Sequence, residues 1–217
     1  MVERQLAARG IADPRVLDAM REIPRHLFVP EESQRLAYSD QAVAIGFGQT
    51  ISQPFVFASI CEALELSGSE LVLDVGSGSG YSTAVLSRLS SEVIGLEIVP
   101  ELVERSTAEL RSLGVRNAEI QHRDGSVGAP ELAPFDAIAV HAAAPQAPGA
   151  LLAQLAPGGR LVAPVRRGRT DYLTRYRLLD GEIEEAIMGP CRFVPLIGRD
   201  GVRATDDRPR SSRLRAR

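Results

Sequence analysis

The chain has 217 residues and an ordinary globular composition, 44% hydrophobic and 24% charged. This length fits a single domain, and the composition excludes a wholly disordered or fibrous chain. The apolar runs fall short of the roughly 20 residues that a membrane helix needs, and the N-terminal MVERQLAARG lacks the apolar segment of a secretory signal. We therefore expect a cytoplasmic protein with no membrane partner.

The net charge of −3 conceals an asymmetry between the body and the C-terminal end. Every basic side chain is arginine, and the stretch 199–217 holds seven arginines and three aspartates. Residues 1–198 therefore carry a charge of −7. An acidic body disfavours nucleic acid as a partner, because phosphate binding needs a basic face. We expect residues 199–217 to form a solvated, disordered tail.

Helices and strands are predicted to alternate along the chain. DPRVLDAMREI predicts a helix with Asp13 as its N-cap and Pro14 in its first turn. From Pro54 onward, helical patterns separate five predicted strands, in ELVLDVG, EVIGLEI, AEIQHRD, PFDAIAV and GGRLVAPV, most of which are nearly continuous apolar runs. Such runs are typical of parallel strands covered on both faces. We therefore predict an α/β fold with a doubly wound, mostly parallel sheet of Rossmann-like type.

The pattern changes after Pro164. YLTRYRLLDGEIEEAIMG alternates polar and apolar residues around a DG turn, which predicts an antiparallel pair of strands at the sheet edge. We predict one domain, residues 1–198, in which a helical cap with a substrate loop (1–53) precedes the core (54–198).

A glycine-rich turn follows the first predicted core strand and opens the next helix. Its five residues are Gly76, Ser77, Gly78, Ser79 and Gly80. Glycine permits positive φ and close approach of a ligand to the backbone. The spacing departs from the G-x-G-x-x-G that a dinucleotide requires. Asp74 would repel a pyrophosphate but suits the amino group of S-adenosylmethionine; the alternative is that Asp74 is a turn or capping acid.

Acidic residues also follow the next two predicted strands. Glu97 ends the second strand, 21 residues after Gly76, where a carboxylate can accept hydrogen bonds from ribose hydroxyls. Asp124 and Gly125 follow the third strand, near the place expected for the adenine amine. Glu97 could instead be a solvated acid at a strand end. Together, at the carboxyl ends of consecutive parallel strands, these residues predict an adenosyl site.

These motifs carry a resemblance to known families. DVGSGSG, the glutamate ending strand two and the DG after strand three resemble class I S-adenosylmethionine-dependent methyltransferases. In addition, GQTISQP, AAAP, GGRLVAPV and RFVPL, in this order, resemble the protein-L-isoaspartate O-methyltransferase family over roughly residues 2–197. The resemblance implies methylation of the free α-carboxylate of L-isoaspartyl residues in damaged proteins and peptides. S-adenosyl-L-homocysteine is then the second product, and the ester closes to a succinimide that can reopen to aspartate.

The resemblance also implies roles for the hydroxyl-bearing triplet. Ser52 is carried over as the active-site hydroxyl, with Thr50 and Ile51 forming the wall beside the donor. Because the acceptor carboxylate is ionised at neutral pH, with a reference pKa near 3.5, it needs orientation by a hydrogen bond rather than a general base. Alternatively, the hydroxyls cap the helix that begins near Pro54.

The peptide segment is expected to lie between the residues after strand four and the stretch RFVPL. The predicted substrate-binding residues are Ser52, His141, Ala142, Ala143, Val194 and Leu196. We expect His141 to line the pocket rather than to act as a base. No metal is expected, because no His, Cys and Asp grouping has ligand spacing, and we expect a monomer. The alternatives are a class I methyltransferase acting on a small molecule or nucleic acid, a silent adenosyl-binding module and a nicotinamide dehydrogenase.

Overall fold

The computed structural model describes residues 1–203. Most of the predicted disordered tail, residues 204–217, therefore lies outside the described residues. The α-helices are α1 (Pro14–Glu22), α2 (Pro54–Ala63), α3 (Tyr81–Leu86), α4 (Pro100–Ser112) and α5 (Gly149–Leu152). The strands are β1 (Val43–Gly46), β2 (Gln49–Ile51), β3 (Leu71–Val75), β4 (Glu92–Glu97), β5 (Ala118–His122), β6 (Phe135–Val140), β7 (Leu155–Arg167), β8 (Thr170–Leu179) and β9 (Glu182–Cys191).

The first 53 residues are mostly helical, in agreement with the predicted cap. The side chain of Asp13 accepts a hydrogen bond from the backbone N–H of Arg15 and caps α1, and Pro14 occupies its first turn, as predicted. Two 3₁₀ helices follow, Arg25–Phe28 and Glu31–Leu36. Within residues 1–203, no helix combines the length and the apolar character needed to cross a membrane.

A short β-hairpin interrupts this helical cap and corrects one expectation. We expected Thr50, Ile51 and Ser52 to lie on a loop, but Thr50 and Ile51 belong to β2, which pairs antiparallel with β1. Ala44 lies opposite Thr50 and Val43 opposite Ile51, whereas Ser52 follows the strand, as expected. The turn residues Gly46, Phe47 and Gly48 all have positive φ. The strand forms because its partner lies six to eight residues earlier and supplies the hydrogen bonds, a context that local propensity does not contain.

The central sheet has seven strands in the order β5-β4-β3-β6-β7-β8-β9. The first five are parallel neighbours, and β8 and β9 add an antiparallel edge. The predicted fold class and edge pair are confirmed. The chain runs outward from β3 to β5 and returns to β6 on the other side of β3, so the strand order reverses between β3 and β6. Ligands of open α/β sheets bind outside the carboxyl ends of the strands at such a point.

Both faces of the sheet are packed, which explains the uninterrupted apolar strands. In β3, Val72 lies in an apolar cluster with residues of α1 to α4, whereas Leu73 lies in a second cluster with Leu151 of α5. Val93 and Ile94 of β4 divide in the same way. Successive strand residues point to opposite faces, so a strand covered on both sides must be apolar at nearly every position.

One predicted helix is shorter than expected. PGALLAQLA was expected to be helical throughout, but α5 ends at Leu152 and β7 already begins at Leu155. Leu155 pairs with Phe135 of β6 ahead of a register shift. Pairing with β6 therefore places Leu155 and the residues after it in a strand, although their sequence pattern is helical.

Candidate active site

A cavity opens at the carboxyl ends of β3, β4 and β6, where the strand order reverses. It has two adjoining lobes that share Thr50, Gly76, Gly78 and His141. The lobe that we call the Glu97 lobe is lined in addition by residues that include Glu97, Ile98, Gly125, Ala142, Val194 and Leu196. The other, the Ser52 lobe, is lined by residues that include Arg25, Ile51, Ser52, Ser77, Ser79 and Tyr81.

Glu97 ties the glycine turn to the end of β4. Its Oε2 accepts a hydrogen bond from the N–H of Gly78 at 2.8 Å, and its Oε1 accepts from the N–H groups of Ile98 and Val99 at 2.8 and 2.9 Å. Burial raises the pKa of Glu97, and these three donors oppose that shift without cancelling it. The carboxylate is thus held in place while it still faces the cavity, where the sequence predicts a ribose.

The three glycines of the turn have two different tasks. Gly76 and Gly78 have φ of +76° and +54° and line the cavity, which allows a ligand close to the backbone. Gly80, with φ of +86°, faces α4: a Cβ there would lie 2.8 Å from Cβ of Ser106. The structure therefore places Gly80 at a helix contact rather than on the predicted cofactor wall.

Asp74 is fully buried behind the turn. Its Oδ2 accepts hydrogen bonds from the hydroxyls of Ser82 and Thr83 at 2.8 and 2.6 Å, and its Oδ1 lies 2.9 Å from Nε2 of His141. These three side chains surround the carboxylate, and its predicted contact with the donor's amino group stays a prediction. Through the two hydroxyls, Asp74 holds the start of α3.

His141 lies on the wall shared by the two lobes. Its ring packs against Phe57, with centroids 5.6 Å apart, and it is almost wholly buried. The ring therefore packs against Phe57 on one side, and its Nε2 lies 2.9 Å from Oδ1 of Asp74 on the other. This geometry suits a pocket-lining residue.

Asp124 accepts hydrogen bonds from backbone N–H groups beside the Glu97 lobe. Its Oδ1 accepts from the backbone N–H and the hydroxyl of Ser126, and its Oδ2 accepts from the N–H of Arg199 at 2.8 Å. Burial alone would raise the pKa of Asp124, but these hydrogen bonds outweigh it and lower the pKa. Of the two residues predicted to lie near the adenine, Gly125 lines the Glu97 lobe and Asp124 does not. The chain thus stays attached to the core past residue 198, the predicted domain boundary.

Two backbone hydrogen bonds bring RFVPL to the cavity. The N–H of Ala143 donates to the carbonyl of Val194 at 2.7 Å, and the N–H of Leu196 donates to the carbonyl of Ala143 at 2.9 Å. Ala143 thus joins the two segments through its backbone, while Ala142, Val194 and Leu196 line the Glu97 lobe. Sequence positions 50 residues apart form one wall in this way.

Ser52 directly follows β2 and lines the Ser52 lobe. Its carbonyl accepts a hydrogen bond from Nη2 of Arg25 at 2.6 Å. The N-cap of α2 is Gln53, and no side chain makes a capping hydrogen bond there. The alternative that the triplet's hydroxyls cap this helix is therefore wrong, and Ser52 is one of the residues that line the Ser52 lobe.

Several lining residues were missed by the sequence reasoning, above all Arg25 and Tyr81. Arg25 lies in IPRHLFVP, 27 residues before Ser52, and the only local signal is a charge inside an apolar stretch. Tyr81 directly follows the glycine turn, a position from which it could have been suspected. Among residues 1–203, no group of three or more His, Cys, Asp or Glu side chains could hold a metal ion.

The cavity fits the donor that the sequence predicts. An acid faces the expected ribose position, two glycines of positive φ admit a ligand, and the other lobe offers buried donors that lack partners within the described chain: Arg25 Nη1, Ser77 Oγ and Tyr81 Oη. These groups match a ligand with a diol at one end and a carboxylate at the other.

Comparisons with known proteins agree with this geometry. The family model described as Protein-L-isoaspartate(D-aspartate) O-methyltransferase (PCMT) matches residues 1–201. Protein-L-isoaspartate O-methyltransferase 1 of an Anaeromyxobacter species is 52% identical over 92% of this chain and 96% of its own. The corresponding enzyme 2 of Marinobacter nauticus is 50% identical over 93% of both chains.

A solved structure gives the same relationship. The Plasmodium falciparum protein described as a protein-L-isoaspartate O-methyltransferase in complex with S-adenosyl-L-homocysteine superposes with a TM-score of 0.80 at 31% identity, over 90% of this chain and 96% of that one. Fold and sequence similarity both extend over most of the chain, and the chain therefore belongs to the protein-L-isoaspartate O-methyltransferase family.

Proposed function

We propose that this chain methylates the free α-carboxylate of L-isoaspartyl residues in proteins and peptides, with S-adenosyl-L-methionine as donor, and that Ser52 orients the acceptor. Family membership over residues 1–201 supports the reaction. The observation that carries the residue assignment is the place of Ser52, which shares a lobe with the glycine turn instead of capping α2.

On the donor side, S-adenosyl-L-methionine supplies a methyl group on a positively charged sulfur. Glu97 is proposed to accept hydrogen bonds from the ribose hydroxyls, and Gly125 to lie against the adenine. The turn from Gly76 to Ser79 gives backbone contacts, with Thr50 and Ile51 as the opposite wall. Asp74, Gly80 and Asp124 are proposed to hold this part of the cavity in place through their contacts with α3, α4 and Arg199.

On the acceptor side, the protein has to desolvate and aim an anion that is already reactive. A carboxylate with a reference pKa near 3.5 is ionised at pH 7, so proton abstraction is not required. One hydrogen bond from the Ser52 hydroxyl orients it without the full charge that would lower its nucleophilicity. Positioning of this kind can lower a barrier by roughly 7–11 kcal/mol.

The peptide is proposed to lie along the outer wall of the cavity. His141, Ala142, Val194 and Leu196 line the cavity there, and three of them, Ala142, Val194 and Leu196, are apolar. Such a wall suits an extended segment bound with few side-chain demands. The predictions of a monomer and of a cytoplasmic location stay predictions.

The test is methyl transfer from donor labelled in its methyl group to an isoaspartyl peptide and to its ordinary aspartyl twin. We expect base-labile label on the isoaspartyl peptide only, because the product is a carboxyl ester. Label on neither peptide, with donor still bound, would instead support a silent adenosyl-binding module. Equal labelling of the two peptides would refute selectivity for isoaspartate.

A further inference from the structure

Arg25 is a fully buried cation at the wall of the Ser52 lobe. Its Nε donates to the carbonyl of Ala37 at 2.7 Å and its Nη2 to the carbonyl of Ser52 at 2.6 Å. The guanidinium carbon lies 4.9 Å from the centroid of the Tyr81 ring. Carbonyls and a ring face orient the guanidinium but do not neutralise its charge.

The charge has no counter-ion in the described part of the chain. Arg25 forms no ion pair within residues 1–203, and its Nη1 is buried without a hydrogen-bond partner there. Burial lowers the pKa of Arg25, yet arginine stays protonated in proteins. Leaving a buried charge uncompensated is strongly unfavourable, so the geometry favours an anion as the ligand of Nη1.

Within residues 1–203, the hydroxyls of Ser77 and Tyr81 line the same lobe, buried and without hydrogen-bond partners. His141 Nε2 is a third such atom of the lobe, and it lies 2.9 Å from Oδ1 of Asp74. Both hydroxyls can donate hydrogen bonds. A guanidinium and two hydroxyls around one lobe match the two oxygens of a carboxylate, which accept up to four hydrogen bonds.

We propose that Arg25 binds the α-carboxylate of the methyl donor's amino-acid part. This inference rests on the proposed function and adds a residue that the sequence motifs do not contain. The donor carboxylate does not react, so a cation there strengthens binding of ground and transition state equally and leaves the chemical step unharmed. A cation on the acceptor carboxylate would instead stabilise the very charge that has to attack the methyl group.

The same guanidinium also holds the backbone of the catalytic hydroxyl. Because Nη2 donates to the Ser52 carbonyl, binding of the donor carboxylate at Nη1 stiffens the residue that orients the acceptor. Arg25 is therefore a ligand-binding residue for the donor and a positioning residue for Ser52.

The test compares two ligands on several variants by titration calorimetry. The ligands are S-adenosyl-L-homocysteine and its analogue in which hydrogen replaces the carboxylate. The wild-type protein is expected to bind the carboxylate-bearing ligand about 10- to 100-fold more tightly, as hydrogen bonds to charged groups allow. In Arg25→Met this preference should fall below about threefold, because only the carboxylate-bearing ligand loses affinity.

Arg160→Met is the matched control. Arg160 also donates to two backbone carbonyls, those of Leu64 and Glu65, both at 2.8 Å, but it lies outside the cavity. Its variant should keep the wild-type preference. If Arg25→Met does not fold, Arg25→Lys is the variant to test. A lysine ammonium cannot offer the paired, planar N–H donors of a guanidinium, so the preference for the carboxylate-bearing ligand should drop at least about threefold.

Several results would overturn the proposal. The first is that the Arg25 variants keep the wild-type preference for the carboxylate-bearing ligand. The second is that these variants lose affinity equally for both ligands. The third is that they bind the donor as the wild type does but have a raised KM for the isoaspartyl peptide. The second would give Arg25 a structural role only, and the third would assign it to the acceptor. A wild-type protein that binds neither ligand refutes the proposed function itself, a result distinct from these three.

Discussion

The two halves of the sheet differ in what they contribute to the cavity. In the parallel half, Gly76 follows β3, Glu97 ends β4 and His141 follows β6, and all three line the cavity. In the antiparallel half, β8 and β9 have ten residues each, yet they supply no lining residue to either lobe as the described residues form it. Parallel strands bring their carboxyl ends to one edge, whereas antiparallel strands alternate, so only the parallel half concentrates functional groups.

The largest effect is expected at the hydroxyl that faces this edge. Ser52→Ala should lower methyl transfer about 10²-fold, the typical loss when one oriented hydrogen-bond donor is removed, and leave the Kd of the donor within about twofold. Turnover and calorimetric titration measure the two quantities. Ser59→Ala removes a hydroxyl that bonds only to the carbonyl of Phe55 within α2 and should keep both. An equal loss of turnover and donor affinity would make Ser52 structural.

Glu97 provides the next test of the parallel half. Glu97→Gln should weaken donor binding about tenfold, because a charged acceptor for the ribose becomes a neutral one. Glu92→Gln, at the exposed amino end of the same strand, should leave the Kd unchanged. Calorimetry with S-adenosyl-L-homocysteine measures both. If the two variants behave alike, position along β4 does not decide function and the comparison of strand ends fails.

The parts of the fold and site that the sequence predicts are those with a local pattern. Continuous apolar runs such as β3 and β4 identify buried parallel strands, and topology then brings their ends together. Glu97 was therefore predictable at the cavity before any coordinates. Thr50 and Ile51 line the cavity, and their place beside the donor stays a prediction; their strand was missed because it depends on pairing with β1.

The remaining site residues depend on packing that a sequence does not encode locally. Asp74 and Gly80 belong to the recognised motif, yet the contacts of α3 and α4 turn one toward His141 and the other toward Ser106. Arg25 reaches the site only because two 3₁₀ turns fold it back onto Ser52. Motif membership thus predicts the neighbourhood of a residue, and tertiary packing decides which ones touch the ligand.

The amino end of the parallel half offers a carboxylate with a purely structural task. Burial alone would raise the pKa of Glu70, but the hydroxyl and N–H of Ser67 and the N–H groups of Gly68 and Ser69 donate to it and hold its pKa at about 2. A depressed pKa stabilises the fold above the unfolded value of 4.5, and the benefit is lost as the pH falls toward 2.

Glu70→Gln should therefore lower the free energy of unfolding by about 1–3 kcal/mol at pH 7, with a difference that shrinks between pH 4.5 and 2. Urea unfolding across this pH range measures the difference, and donor affinity at pH 7 should be unchanged because Glu70 lies at the opposite end of β3. A difference that is the same at every pH would mean that the charge of Glu70 contributes nothing.

The smallest effect is expected on the antiparallel half. Ile187 of β9 is 54% exposed, and threonine suits a strand, so Ile187→Thr should change the free energy of unfolding by less than about 0.5 kcal/mol and leave methyl transfer unaltered. Ile138→Thr, at a fully buried position of β6, is the contrasting variant and should cost several times more, since it places a hydroxyl in the core. Thermal unfolding and turnover of both variants measure this contrast. If Ile187→Thr reduced turnover on the isoaspartyl peptide without a loss of stability, β9 would contact the substrate. The antiparallel half of the sheet would then also contribute to function, contrary to the comparison above.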